Sequence, residues 1–253
     1  MLVLLLYVDD IILTGNSLTL MSTLISALKK VIAMQELGYL NYFLGIEAII
    51  HEDYLVFSEK KYTLELLENA QMLDCKPCDT LISITHRDSI HDGKLLGNPL
   101  EYRTIVGSLQ YLTHTRPGIC FGVNYIIQFM YAPTDIHIML VKRILRYLKG
   151  SIALGLTITA GDMSFLTTYT DSDWAGCAET RRTTSGYAIF LGSSLIPWSS
   201  KRQSTISQSS AVLSINVLLL LHQNLNGEEK LADLFTKGMF SYLLQASSSI
   251  AGD

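Results

Sequence analysis

The sequence predicts an α/β or α+β fold built in successive pieces, and the spacing of apolar residues is the main reason. Apolar residues alternate near the start of the chain and again after residue 151, whereas residues 99–149 show helical spacing. Among 253 residues, 49% are hydrophobic and 17% are charged, which is typical of a folded chain and excludes a disordered one. We therefore expect a hairpin with helices, then a helical middle, then a mixed sheet.

The first piece begins with a predicted β-hairpin. Leu2–Val8 is an apolar run, Asp9–Asp10 is the predicted turn, and Ile11–Thr14 is the return strand. Ser17 then stands where it can cap a helix with an apolar stripe. The later elements predicted in this piece are strands at Tyr42–Ile50 and Tyr54–Phe57 and a helix at Glu59–Ala70.

The middle piece is predicted to be a linker followed by three helices. Asp74–Asn98 is rich in turn-forming residues, which favours a linker. Asn98, Pro99 and Glu101 form a strong helix start, with a cap, a proline in the first turn and an acid three residues after the cap. That helix should run to about His114, and the next two are predicted at Ile119–Met130 and Thr134–Lys149.

After Ser151 the pattern predicts strands again. They are expected at Ile152–Ile158 and Phe165–Thr170, followed by a hairpin from Tyr187 through Gly192–Ser194 to Trp198. Residues 204–224 are compatible with a helix, and residues 242–253 with a frayed tail.

Charge and cysteine content limit the possible functions. The chain has 19 Lys plus Arg and 23 Asp plus Glu, a net charge of −4, which argues against a general electrostatic binder of nucleic acid. Four cysteines without a secretory signature indicate a reducing, intracellular setting. The apolar runs at Met1–Val8 and Val212–Leu221 are too short to span a bilayer, so we expect no membrane segment.

Adjacent carboxylates at the first hairpin are the sharpest chemical signal. Asp9 and Asp10 follow Tyr7 and Val8 at the tip of an apolar hairpin, where two negative charges repel each other. A divalent cation would neutralise them, and polymerases hold Mg²⁺ ions ~4 Å apart on carboxylates in this way. The alternative interpretation is a solvated Asp-Asp turn.

Two weaker patterns each allow a functional and an ordinary interpretation. Four basic residues lie on one side of the predicted helix Thr134–Lys149, where they could contact a phosphate backbone or simply face solvent. These residues are Lys142, Arg143, Arg146 and Lys149. Cys75 and Cys78 form a C-x-x-C pair, but no His or Cys stands at ligand spacing, which favours an ordinary linker over a metal or redox site.

Several blocks, in order along nearly the whole chain, resemble the Pol polyprotein of copia-type LTR retrotransposons. They are LLLYVDDIILTG (4–15), LGYLNYFLGIEAI (37–49), KKYTLELLENAQMLDCKPCDT (60–80), YRTIVGSLQYLTHTRP (102–117), KRILRYLKGS (142–151), the stretch from YTDSDWAG to SSA (169–211) and KLADLFTKGM (230–239). The resemblance implies four parts: reverse transcriptase palm hairpin and thumb-like helices (1–80), linker and helical connection (81–150), truncated ribonuclease-H-like domain (151–240) and tail (241–253).

The same resemblance assigns roles to individual acids. Asp9 and Asp10 become the metal pair of the polymerase palm, and Asp171 becomes the first carboxylate of a ribonuclease H site, with Mg²⁺ as the cofactor. Asp233 matches a late acidic position and is a fourth metal-ligand candidate. The implied partners are an RNA–DNA hybrid, along which the basic helix would lie, and other parts of the polyprotein.

Departures from the family pattern predict that these activities are lost. The chain begins just before Tyr7, so we expect the fingers and the third palm carboxylate to be missing. After Ala211 the sequence lacks the acidic helix start that carries the catalytic Glu, and the following Cys-Asp-Asn segment is absent as well. We therefore expect a catalytically defective fragment, or alternatively a non-catalytic remnant that binds nucleic acid or assists Pol assembly.

Overall fold

A computed structural model describes residues 2–8, 10–82, 89, 91–161, 164–173, 176–177 and 180–204. It contains helices and antiparallel sheets, which confirms the α+β class. Within these ranges, every helix is too short or too polar to cross a bilayer. The helix predicted after Ser204, the predicted tail and Asp233 lie outside the described residues.

The first hairpin forms as predicted, except that Asp10 belongs to the return strand. Strand β1 (Leu2–Tyr7) pairs antiparallel with β2 (Asp10–Gly15), and Tyr7 lies opposite Asp10. The predicted turn at Asp9–Asp10 is therefore wrong at Asp10, because Asp10 already belongs to the return strand. Helix α1 (Leu18–Val31) follows, and the Ser17 side chain caps it by accepting from Leu20 N at 3.4 Å.

A second sheet contains a turn within the stretch predicted as one strand. Its first strands are β3 (Tyr42–Phe43), β4 (Ile46–Ile50) and β5 (Tyr54–Ser58). The predicted single strand Tyr42–Ile50 is wrong, because Leu44 (φ 51°) and Gly45 (φ 78°) turn the chain back between β3 and β4. Positive φ at both central residues gives the backbone the twist that tight hairpins favour.

The fourth strand of this sheet comes from far along the chain. Strand β6 (Leu156–Thr159) pairs antiparallel with β5, so that Ile158 lies opposite Leu55. Only the end of the predicted strand Ile152–Ile158 is therefore extended. Gly155 approaches the Phe57 carbonyl so closely that a Cβ would overlap it, which explains why this position needs glycine.

The main hydrophobic core lies among four helices. They are α2 (Lys60–Asn69), α3 (Pro99–Leu112), α4 (Cys120–Ile127) and α5 (Asp135–Gly150), and a 3₁₀ turn at Pro117–Ile119 precedes α4. Fully buried core residues include Leu67, Val106, Leu109, Leu112, Ile126, Ile144, Leu145 and Leu148. Each such Leu or Ile contributes about 1.5–3 kcal/mol relative to an exposed side chain. The predicted cap at Asn98 is confirmed, because its Oδ1 accepts from Leu100 N at 3.0 Å.

A third sheet of three antiparallel strands completes the described fold. It consists of β7 (Leu166–Asp173), β8 (Thr184–Leu191) and β9 (Ser194–Arg202), in that order. Among the described residues β7 pairs only with β8, and its first six residues are exposed. On the other side, β9 contacts the helical core, and Arg202 Nη1 donates to Gln128 Oε1 at 2.9 Å.

Candidate functional site

The hairpin places Asp10 at the start of β2, with an exposed side chain. Val8, in the turn, has φ 49° and is 80% exposed. A β-branched residue at positive φ is a genuine outlier that costs about 1–3 kcal/mol, and such strain clusters at functional sites. Asp9, the other predicted ligand, lies outside the described residues. The hairpin therefore combines an exposed carboxylate with backbone strain at its tip.

The donor chemistry at this tip suits magnesium only in part. A carboxylate oxygen is a ligand that Mg²⁺ accepts, and Mg²⁺ is commonly held by one or two carboxylates together with substrate phosphates. In the part of the chain that the structure describes, however, no three His, Cys, Asp or Glu residues stand close enough together to hold a metal ion. The described residues thus offer Asp10 as a partial donor set for one ion.

Asp171 stands on a different sheet from Asp10. It lies in β7 opposite Gly186, with an exposed side chain whose Oδ1 accepts from Ser172 N at 2.8 Å. Asp173, two residues later in the strand, is on the same face of the sheet. Asp10 in β2 and Asp171 in β7 therefore belong to separate sheets.

The predicted basic side of α5 is partly occupied by the chain itself. Lys142 is exposed, whereas Arg143, Arg146 and Lys149 are half-buried. Arg146 Nε donates to the carbonyl of Lys76 at 2.8 Å, and Arg143 Nη2 donates to Thr80 Oγ1. The two arginines therefore hold segment 76–80 against α5, so this end of the predicted linker is irregular but docked.

Cys78 lies in the docked segment, and the pKa of its thiol is lowered. Its backbone N donates to the Arg146 carbonyl at 3.2 Å. Hydrogen bonding to the backbone and hydroxyl of Thr80 lowers the pKa of the Cys78 thiol, and the nearby charges of Arg143 and Arg146 lower it further. Cys75 and Cys78 are both free and half-exposed.

Sequence reasoning missed a buried histidine that organises the other end of the linker. His137 is fully buried in α5, and its ring stacks on Phe129 with centroids 3.8 Å apart. Its Nδ1 accepts from Thr134 N at 3.0 Å, while Nε2 lies 3.1 Å from the Ser89 carbonyl, which requires a proton on Nε2. The spacing Thr134-x-x-His137 is that of a capping box, a signal that could have identified it.

A groove of about 340 Å³ between α2 and α3 shares no residue with the predicted sites. Its lining includes Tyr62, Leu66 and Ile105 on the apolar side and the carboxylates of Glu65 and Glu101. It therefore adds no donor to Asp10 or Asp171.

Comparison with known proteins gives consistent results. Residues 1–84 match a family model described as reverse transcriptase (RNA-dependent DNA polymerase). The chain is 46% identical over 217 residues to the uncharacterized mitochondrial protein AtMg00810 of Arabidopsis thaliana, covering 86% of this chain and 90% of that protein. It is 43% and 42% identical over 206 residues to the retrovirus-related Pol polyproteins from transposons RE2 and RE1 of the same plant. No solved structure matches the chain.

These matches define a class, the reverse-transcriptase-related polypeptides of mobile elements. Within that class, the chain belongs to the copia-type retrotransposon Pol family, as its motifs predicted. Its similarity covers 81% of this chain but only 14% of the RE1 and RE2 polyproteins, so it corresponds to a fragment of such a polyprotein.

Proposed function

We propose that this chain is a catalytically defective Pol fragment, derived from an RNA-directed DNA polymerase and its ribonuclease H. In this proposal residues 1–80 descend from the palm hairpin and thumb, residues 81–150 from the linker and connection, residues 151–240 from a truncated ribonuclease-H-like domain, and residues 241–253 form the tail. The observation that supports it is that Asp10 and Asp171 stand on separate sheets and that no three His, Cys, Asp or Glu residues among the described ones come together to hold a metal ion.

The proposal gives the acidic residues a limited role. Asp9 and Asp10 would hold Mg²⁺ at the hairpin, with Asp171 and Asp233 as the ligands derived from ribonuclease H. When bound, Mg²⁺ supplies Lewis-acid stabilisation of phosphoryl oxygens. Polymerases and nucleases clamp both the attacking and the leaving oxygen with a pair of ions, which needs more carboxylates than Asp9 and Asp10 provide together. Asp10 therefore attracts a cation to the turn without aligning two reacting groups.

An activity assay on the full chain tests this proposal. The protein is incubated with a labelled RNA–DNA hybrid and with a primed RNA template, each with Mg²⁺ or Mn²⁺. We expect wild-type protein, Asp10→Asn and Asp171→Asn to give the same background, with neither cleavage nor extension. Metal-dependent turnover that is lost in either variant would contradict the defect and establish an active enzyme.

A second candidate function is binding of nucleic acid without catalysis, and the exposed position of Lys142 on α5 favours it. Arg143 and Arg146 are engaged with segment 76–80, so Lys142 and Lys149 are the cleaner test. Binding of a fluorescent RNA–DNA hybrid is measured by anisotropy over a salt series. The variant Lys142→Ala/Lys149→Ala should bind more weakly, with a salt slope reduced by about two.

A matched control separates this interface from general charge effects. Lys60 and Lys61 are exposed on α2, and replacing both with Ala removes the same charge. The control variant should bind like the wild type. Equal weakening in both double variants would reject a nucleic-acid interface on α5.

A further inference from the structure

Glu59 is a buried carboxyl group whose oxygens make no well-aligned hydrogen bond. It stands between β5 and α2 as the residue before the helix, and only 2% of it is exposed. Neither carboxyl oxygen makes a well-aligned hydrogen bond, and neither does the hydroxyl of Thr115, although Thr115 lies close enough to act on the carboxyl group. An ionised carboxylate in such a place loses its hydration without compensation, which favours the protonated form.

The nearest positive charge already has another partner. Arg116 is 5% exposed, and its Nη2 donates to Ser151 Oγ at 2.7 Å. Ser151 Oγ in turn donates to the carbonyl of Tyr147 at 2.8 Å, next to the end of α5. The guanidinium therefore fastens the end of α5 while it stands near an uncompensated carboxyl group.

The other described titratable groups around this junction are phenols and the exposed imidazole of His114, whose ring meets that of Tyr111 edge-on at 5.8 Å. The Tyr111 hydroxyl donates to the Leu44 carbonyl, and the Tyr111 ring meets that of Tyr62 edge-on at 5.0 Å. Burial raises the pKa of Tyr111, and the charge of Glu59 raises it further, followed by Tyr62 and Tyr7. Tyr147 acts on Arg116 from α5. Among the described groups, Arg116 is the charge that acts on Glu59.

Burial raises the pKa of Glu59 to about 7, although Thr115 and Arg116 oppose the increase. The carboxyl group therefore changes charge near neutral pH.

We propose that Glu59 and Arg116 form a proton-operated switch at the junction of α2, α3 and α5. In the protonated state, the Glu59 carboxyl donates to Thr115 Oγ1 and Arg116 holds Ser151. In the ionised state, Arg116 turns to Glu59 and releases Ser151 and the end of α5. Each state satisfies groups that the other leaves unpaired, so a proton selects between two arrangements.

The sign of the linkage follows from the direction of the shift. The folded-state pKa lies above the ordinary value of 4.5, so the folded chain binds the proton more tightly than the unfolded chain. The stability that the Glu59 proton contributes is fully present below about pH 4.5. It falls as the pH rises toward 7 and levels off there. Over this window the unfolding equilibrium constant rises by up to about tenfold per pH unit.

Urea unfolding of the full chain from pH 5 to 8.5 tests the proton site. The wild type should lose stability up to about pH 7, whereas Glu59→Gln should remove this dependence and be more stable at pH 8. Glu68→Gln, an exposed residue on the same helix, is the matched control and should follow the wild type. A Glu59→Gln profile as steep as that of the wild type would reject the proton site.

A second variant tests the exchange of partners. Ser151→Ala removes the partner of Arg116 in the protonated state, so Arg116 should pair with Glu59 more readily. The midpoint of the pH-dependent change should move to lower pH than in the wild type. An unchanged midpoint would show that Arg116 does not switch, and would overturn the proposal even if Glu59 binds the proton.

Discussion

The indole Nε1 of Trp198 donates a hydrogen bond to the backbone carbonyl of Thr113 at 3.1 Å. Trp198 lies in the third sheet and Thr113 caps the end of α3, so this bond ties the sheet to the helical core. Thr113 is half-buried, and without the indole its carbonyl keeps only the weak Cys120 thiol donor at 3.8 Å; a buried carbonyl that loses its main donor costs about 1–3 kcal/mol.

Trp198→Phe should therefore destabilise the protein by about 1–3 kcal/mol, since it removes the donor but keeps an aromatic ring. Urea unfolding followed by circular dichroism measures the loss. Tyr131→Phe, at a residue almost fully exposed, is the control and should change stability by less than about 0.5 kcal/mol. Equal stabilities of Trp198→Phe and the wild type would mean that the bond does not hold the sheet.

Val8→Asn should stabilise the first hairpin by about 1 kcal/mol, because asparagine tolerates the positive φ of this position better than a β-branched residue. Urea unfolding followed by circular dichroism measures this change in the free energy of unfolding. The control is Val31→Asn, because Val31 is as exposed as Val8 but lies at the end of α1 with a helical backbone. Val31→Asn should not increase the stability. A loss of stability in Val8→Asn would show that the turn conformation is not strained.

Gly155→Ala should cost about 1–3 kcal/mol, because a Cβ at this position overlaps the Phe57 carbonyl and forces β6 away from β5. A Cβ added at Gly161 would meet no other atom within 4 Å, so Gly161→Ala is the natural control and should be nearly neutral. Thermal unfolding of both variants decides the point, and similar melting temperatures would argue against close β5–β6 pairing.

Arg146→Gln should slow alkylation of Cys78 at pH 7. The substitution removes a positive charge beside the thiol and a donor to segment 76–80, so the pKa of Cys78 should rise and its thiolate fraction fall. Iodoacetamide labelling with peptide mapping reports the rate at each cysteine, and Cys120 serves as the internal reference. A Cys78 rate that matches the wild type would mean that Arg146 does not act on the thiol.

Local signals predicted the local structure well. The two predicted caps, Ser17 and Asn98, each precede a helix by one residue and cap it, because their side chains satisfy amide groups of the first turn whatever the tertiary setting. The turn at Leu44–Gly45 was missed, since a short apolar run around one glycine looks the same as a continuous strand.

Relations between distant parts of the chain could not be read from periodicity. Helical spacing placed Arg143 and Arg146 on the side of α5 away from the core, but it carries no information about which segment docks there. Glu59 lies between an apolar strand and a helix, and only the packing of α3 and α5 against it makes it buried. The assignments of Asp9, Asp10, Asp171 and Asp233 to metal sites rest on the family motifs and stay predictions.

The pairing of Leu55 with Ile158 has a consequence for biosynthesis. About a hundred residues must emerge from the ribosome after β5 before β6 can reach it, and closing so long a loop carries an entropic cost. Until then, one edge of β5 is open to pairing with other chains. Ribosome-bound nascent chains that stop before residue 156 should therefore recruit chaperones more strongly than chains that continue past residue 159.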